Sequence, residues 1–287
     1  MHKKYWADAA QQSQAKGEAY ALVTVLGCTG STPRDQSSKM VVTQEHTYDT
    51  IGGGNLEFVV TNKARELLTQ NLTSQEIIPF PLGGSLGQCC GGNATVLLET
   101  FAACQFQVAL FGAGHVAKAL VNILAGLPCK VQWIDKRENM FPADLPGNVT
   151  TFKHDDPASL IAALPTQSDV LILTHNHQLD YALTVAAIHH GKLRHIGLIG
   201  SKTKAKRFQQ RFAKDGLSKE QTKRIICPVG LSTIPGKLPM EVAVSIAAEL
   251  IAIEHAGDSQ SLHRGLAWTD IKQTLCSARE KSNSNTP

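Results

Sequence analysis

From residue 107 onward, the chain alternates short apolar runs with stretches whose apolar residues recur at helical spacing. Runs near 107–112, 131–135, 149–153, 169–174, 195–199 and 225–229 predict strands, and stretches near 115–126, 157–164, 179–190 and 203–214 predict helices between them. Alternation of this kind predicts a parallel sheet wound with helices on both faces. A long apolar stretch from Pro239 to about His255 predicts one more helix. Pro239 falls in its first turn, where a missing N–H costs nothing.

The first hundred or so residues read differently. A polar helical stretch leads to a strand near 21–26 and another near 39–43. Ile51-Gly-Gly-Gly-Asn-Leu-Glu57 then opens a helix with apolar residues at Leu56, Val59, Val60, Ala64, Leu67 and Leu68. A strand near 94–98 follows the glycine-rich run Leu82-Gly-Gly-Ser-Leu-Gly-Gln-Cys-Cys-Gly-Gly92. The expected fold class is therefore α/β. A mixed α+β glycine-loop domain (1–100) precedes a Rossmann-like parallel-sheet domain (107–256), and a helical extension with a frayed tail (257–287) closes the chain. The connection 101–106 has little linker character, which predicts that the two domains touch and share a ligand cleft.

Composition narrows the function classes. With 43% hydrophobic and 18% charged residues the chain is an ordinary globular one, and no apolar run reaches the length of a membrane span. A formal charge of +4 over 287 residues is too weak to argue for nucleic acid. The basic start Met1-His-Lys-Lys4 has no apolar stretch behind it, so no export signal is expected, and reduced thiols in the cytoplasm are. The seven cysteines, an odd number, include no C-x-x-C pair, which argues against a structural zinc site.

The residues that carry chemistry fall at strand ends. Gly112-x-Gly114-x-x-Ala117 follows a predicted strand and opens a helix, and Asp135 closes the next strand. In that context Gly112 makes a tight turn, Gly114 admits a pyrophosphate to the helix N-terminus, and Asp135 accepts from ribose hydroxyls. His175, His177 and Asp180 follow the fourth strand, where they could ligate a metal, donate to phosphate or act as acid and base. Gly200, Ser201 and Lys202 follow the fifth, with Lys202 or Lys204 able to neutralise an anion. In the first domain, loops carrying Arg34, Gly53, Asn55 and Glu57, and Cys89 with Cys90, offer anion nests, a bidentate cation and a thiolate on an open backbone.

These loops, in this order, resemble the xanthine dehydrogenase accessory protein family, XdhC/CoxI. Gly30-Ser-Thr-Pro-Arg34, Ile51-Gly-Gly-Gly-Asn-Leu-Glu57 and Leu86-Gly-Gln-Cys-Cys-Gly-Gly92 match its N-terminal domain. Phe111-Gly-Ala-Gly-His-Val-Ala117, which includes His115, matches its Rossmann domain, as do Trp133-Ile-Asp135, Thr174-His-Asn-His-Gln-Leu-Asp180 and Ile196-Gly-Leu-Ile-Gly-Ser-Lys202. Cys227-Pro-Val-Gly-Leu231 and Pro239-Met-Glu-Val-Ala-Val-Ser-Ile-Ala-Ala-Glu249 fit as well, so the resemblance spans roughly residues 20–255.

The resemblance implies a cytoplasmic maturation factor that binds molybdenum cofactor (molybdopterin). It implies support for sulfuration of the cofactor by a cysteine desulfurase and delivery to an apo xanthine dehydrogenase-type enzyme, commonly by a homodimer. Cys90, with Cys89 beside it, is then the expected metal-facing thiolate, and no nucleic acid or membrane partner is expected. Two other readings compete. One is an NAD(P)-dependent oxidoreductase with Asp135 on the ribose and His175 or His177 as acid–base, Lys136 and Arg137 leaving NAD or NADP open. The other is a redox or metal sensor built on the Cys89–Cys90 loop.

Overall fold

The computed structural model describes residues 5–29, 37–81, 93–256, 269 and 272. The chain divides into two compact units between Ala103 and Cys104. The first unit runs through α1 (Trp6–Lys16), β1 (Tyr20–Thr29), β2 (Lys39–Val42), β3 (Thr47–Asp49), α2 (Gly54–Thr69), β4 (Ser74–Pro81) and β5 (Asn93–Phe101). Its strands form an antiparallel sheet in the order β3-β2-β1-β5-β4.

Alternation along β1 assigns the two faces of that sheet. Ala21, Val23 and Val25 pack with Leu56, Val60, Ala64, Leu67 and Leu68 of α2. Tyr20 and Leu22 pack with Trp6 and Ala9 of α1 on the other side. Two strands were not legible in the sequence. Pro79 and Pro81 argue against a strand, but β4 pairs only with β5 at the edge of the sheet, where a missing N–H is tolerated. At three residues, β3 is too short to show a period.

The second unit comprises β6 (Gln107–Phe111), α3 (His115–Leu124), β7 (Lys130–Asp135), β8 (Val149–Lys153), β9 (Asp169–Ile172), α4 (His177–His190), β10 (His195–Leu198), α5 (Lys202–Lys214), α6 (Lys219–Thr222), β11 (Ile225–Ile226) and α7 (Pro239–Glu254). All its strand pairs are parallel, in the order β11-β10-β9-β6-β7-β8. Val108 and Leu110 of β6 face a core built with α3 and α7. Ala109 and Phe111 face the opposite core, built with α4 and α5. The sheet is thus wound on both sides, and β6 and β9 lie where the strand order reverses. A crevice opens at such a switch point, outside the carboxyl ends of the strands.

Two predicted elements change form. The helix expected at 157–164 is a 3-10 turn, Pro157–Ala163, because Pro157 and Pro165 confine it to a short span and the residue before a proline leaves the helical region. The strand expected at 225–229 stops at Ile226, ahead of Pro228, which has no N–H to offer a ladder. Among the described residues no helix is long and apolar enough to cross a membrane. Of the tail only Thr269 and Lys272 are described, both helical and exposed.

Candidate functional site

The turn after β6 is fixed by its own neighbours. Gly112 has φ of 107°, and a Cβ there would stand 2.6 Å from the Leu173 carbonyl oxygen. Glycine is therefore demanded by the adjacent strand end, whether or not a phosphate is bound. The Gly112 N–H donates to Ile134 O at 2.8 Å. Its carbonyl accepts from the indole Nε1 of fully buried Trp133 at 2.9 Å. Sequence reasoning missed this buttress, although a buried tryptophan usually finds an acceptor for its N–H.

Gly114 is different. Its φ is −78°, and a Cβ added there would meet nothing within 4 Å. The fold does not require glycine at 114, and the space beside it is open to a ligand. Gly114 is also the N-cap of α3 and supplies no side-chain acceptor, so the orphan N–H groups of that first turn keep their capacity for an anion. The two other helices on this edge are capped by the chain itself. Asn176 accepts from Gln178 N and Leu179 N at the start of α4, and Ser201 accepts from Lys204 N at the start of α5.

Asp135 is buried at the end of β7, and its carboxylate is fully engaged. Oδ2 accepts from Ala113 N at 2.8 Å and from Arg137 Nη2 at 3.1 Å. Oδ1 accepts from Arg137 N at 2.9 Å and Arg137 Nε at 3.1 Å. A carboxylate has about four acceptor positions, so none is left over for a ribose hydroxyl. Burial pushes this carboxyl up, but the bonds from Arg137 and Ala113 outweigh it and hold it below the usual carboxylate range.

A pocket of about 210 Å³ opens beside this pair. Phe111, Ile134, Pro157, Leu179 and Leu183 give it apolar walls, and Asp135, Lys136, Arg137, Thr174, His175 and Asn176 give it a polar mouth. Gly112, Asp135 and His175 are therefore brought together. His177 instead lines a second pocket with Lys204, Arg207 and Arg211. His115, His175, His177, Ser201 and Lys202 are exposed along the same edge, with Gly200 at the end of β10.

Asp180 does not join the two histidines. It is 1% exposed, accepts from Thr174 Oγ1 at 2.6 Å, and pairs with Lys204 Nζ at 2.5 Å. Lys204 also donates to Ile199 O at 2.7 Å. Gly200 leaves room for this lysine, since a Cβ there would stand 2.7 Å from Lys204 Cδ. Asp180 and Lys204 therefore serve as a buried tie between strand ends and helices. Among the described residues no group of three His, Cys, Asp or Glu side chains could hold a metal ion, so the metal-ligating reading of His175, His177 and Asp180 is not realised.

In the first unit, Gly52, Gly53 and Gly54 all have positive φ. The anion at this loop is supplied by the chain. Glu57 Oε2 accepts from Thr50 Oγ1 at 2.5 Å, Ile51 N at 3.1 Å and Gly53 N at 3.0 Å. Asn55 is half-buried in the first turn of α2. Glu57, expected to meet a ligand, instead organises its own loop. Arg34, Cys89 and Cys90 lie outside the described residues.

A doubly wound parallel sheet with a glycine turn and a pocket at its switch point defines a Rossmann-type domain, here carried behind a separate α+β unit. The family models name the lineage: the XdhC and CoxI family matches residues 13–77, and the XdhC Rossmann domain matches residues 108–250. The chain belongs to the XdhC and CoxI family. It is similar to a protein of Escherichia coli strain K12 named as the uncharacterized protein YqeB, with 26% identity over 241 residues. That alignment covers 82% of this chain but only 44% of the relative, so this chain spans less than half of that protein's length. Among solved structures, one titled as a xanthine dehydrogenase from Bacillus halodurans is 19% identical. It covers 91% of this chain and 98% of its own, with a TM-score of 0.47. The chuY structure from Escherichia coli CFT073 is 15% identical and covers 54% of this chain and 92% of its own, with a TM-score of 0.34.

Proposed function

We propose that this chain is a maturation factor for xanthine dehydrogenase-type molybdenum hydroxylases, binding molybdenum cofactor and supporting its sulfuration and insertion. The observation that carries the reading is family membership over both units, in order along the chain. The partners follow from it: an apo-hydroxylase as client, a cysteine desulfurase as sulfur donor and a second copy of this chain in a cytoplasmic homodimer. Arg34 and Cys90, with Cys89 as second choice, are proposed to hold the pterin's oxyanions and face the metal. A soft thiolate suits a sulfur-rich metal centre. In the Rossmann domain, the uncapped start of α3 and the open space at Gly114 fit the phosphate of a nucleotide or of a pterin nucleotide. Bound there, the cofactor would supply the metal-sulfur chemistry, while the chain's residues hold and shield it.

Protein purified without oxygen tests this directly, by molybdenum content and pterin fluorescence after release. The expected result is near-stoichiometric cofactor in the wild type, lost in Cys90→Ser while the circular dichroism spectrum is unchanged. Full retention in a Cys89→Ser/Cys90→Ser double variant would remove the thiolate role. A second reading, an NAD(P)-dependent oxidoreductase, draws on the pocket at the end of β7.

A further inference from the structure

The pocket beside Asp135 has a chemistry that the glycine fingerprint alone does not give. In a Rossmann domain an acid at the end of the second strand takes the ribose hydroxyls, whereas a nearby arginine accommodates a ribose phosphate. Both residue types are present here, and geometry separates their roles. The Asp135 carboxylate is 7% exposed, and the four bonds from Ala113 N, Arg137 N, Arg137 Nε and Arg137 Nη2 fill its acceptor positions. The Arg137 side chain is 43% exposed and lines the pocket, and its Nη1 makes no hydrogen bond among the described residues. Exposed Lys136, also on the pocket wall, has no ion-pair partner among the described residues. The pocket mouth therefore presents the Lys136 ammonium and the remaining N–H edge of an Arg137 guanidinium that is already paired with Asp135, a net positive charge. An unphosphorylated diol therefore finds the Asp135 carboxylate already occupied, and an anion finds donors.

Volume and lining say which part of a ligand fits. At about 210 Å³ the pocket is smaller than the roughly 300–1,000 Å³ of whole-ligand sites, so it suits one end of a larger molecule. Its apolar walls suit the faces of a base. The glycine turn and the open start of α3 lie at the end of β6, next to β7 in the sheet, where the 5′-phosphate side of the same molecule would run.

We infer that this pocket takes a ribonucleotide bearing a phosphate monoester on its ribose, with Arg137 and Lys136 as the phosphate-binding residues. Asp135 is the positioning residue that locks the guanidinium plane. The inference rests on the nucleotide reading of the Rossmann domain. A 2′-phosphate and a 3′-phosphate share this chemistry, and the test separates them.

The experiment is calorimetric titration of the full chain with 5′-AMP, 2′,5′-ADP and 3′,5′-ADP. One of the two bisphosphates is expected to bind at least about tenfold more tightly than 5′-AMP, the size of one charge-assisted contact. The preferred isomer identifies the ribose position. Arg137→Ala should bring that ratio close to one, since it removes the phosphate donor and frees Asp135 to accept from a diol. Lys136→Ala disturbs no bond of Asp135 and should lower the ratio by roughly threefold, which keeps the test valid if Arg137→Ala does not fold. Equal or tighter binding of 5′-AMP in the wild type overturns the inference while the nucleotide reading stands. No binding of any of the three overturns both.

Discussion

Lys204 of α5 places its Nζ 2.5 Å from Asp180 Oδ2 on α4, and the carboxylate is only 1% exposed. The pair ties the N-terminal turns of two helices to the ends of β9 and β10 through Thr174 and the Ile199 carbonyl. Lys204 lies in the first turn of its helix, where a cation opposes the helix dipole. Its partner offsets that cost. Asp180→Ala should lower unfolding free energy by about 3–5 kcal/mol, because a buried lysine loses its counter-charge. Asp180→Leu with Lys204→Met should recover most of it. Urea denaturation of the three variants decides. A loss under about 1 kcal/mol for the single change would mean that the tie is solvent-like in strength.

The two fingerprint glycines should separate stability from binding. Gly112→Ala forces a Cβ against the Leu173 carbonyl at positive φ, and the expected cost is about 3 kcal/mol. Gly114→Ala meets open space at negative φ, and the expected cost is under about 1 kcal/mol, chiefly through the N-cap. Gly114→Val should keep the melting temperature near wild type and weaken binding of whichever of the three nucleotides binds most tightly. Equal destabilisation by both alanine variants would contradict this division.

What the sequence made legible was whatever rests on period and on local turns. Apolar runs separated by helical spacing sufficed for the parallel sheet, and Gly112 with Asp135 marked the strand edge that carries its pocket. Contacts between distant side chains were not legible. Asp135 read as a ribose acceptor because nothing in the string shows Arg137 folding back on it. Asp180 read as a partner of His175 and His177, whereas Lys204, 24 residues on, claims it. Glu57 read as a ligand group, whereas the loop that precedes it turns its own N–H groups onto the carboxylate. In each case an acid read as a ligand contact finds its donor within the chain. The edge strand β4 stayed hidden because its prolines are tolerable only at a position that topology decides.

Glu57 should therefore act on stability more than on ligand binding. Glu57→Ala removes the shared acceptor of Thr50, Ile51 and Gly53, three groups in a part-buried loop. Bonds to a charged acceptor contribute about 1.5–3 kcal/mol each, but partial exposure lets water replace some of them, so a net loss of about 2–3 kcal/mol is expected. Glu57→Gln retains one acceptor oxygen and should lose about half as much. Thermal unfolding checks the ranking. A variant with unchanged melting temperature and reduced cofactor retention would return Glu57 to the ligand.

Cys129 provides a pH-dependent test of the second unit's core. The thiol is 3% exposed, its Sγ donates to Leu124 O at 3.4 Å, and Asn148 Nδ2 lies 3.8 Å from the sulfur. Burial, with a smaller contribution from Cys104, pushes the thiol up to about 12. Only the thiolate reacts with iodoacetamide. At pH 8 an ordinary thiol is substantially ionised, so alkylation of Cys129 in the folded chain should be slower on the order of a thousandfold. The raised pKa keeps the folded state neutral at 129 while the unfolded thiol ionises near 8.5. Any stability linked to this group is thus fully present below pH 8.5 and falls as pH rises towards 12. Peptide mass mapping after timed alkylation, with and without urea, reads the first effect, and urea unfolding on either side of pH 8.5 reads the second. Cys129 modification in the native protein at the rate seen in urea would show that the packing around α3 and β7 is looser than the geometry gives.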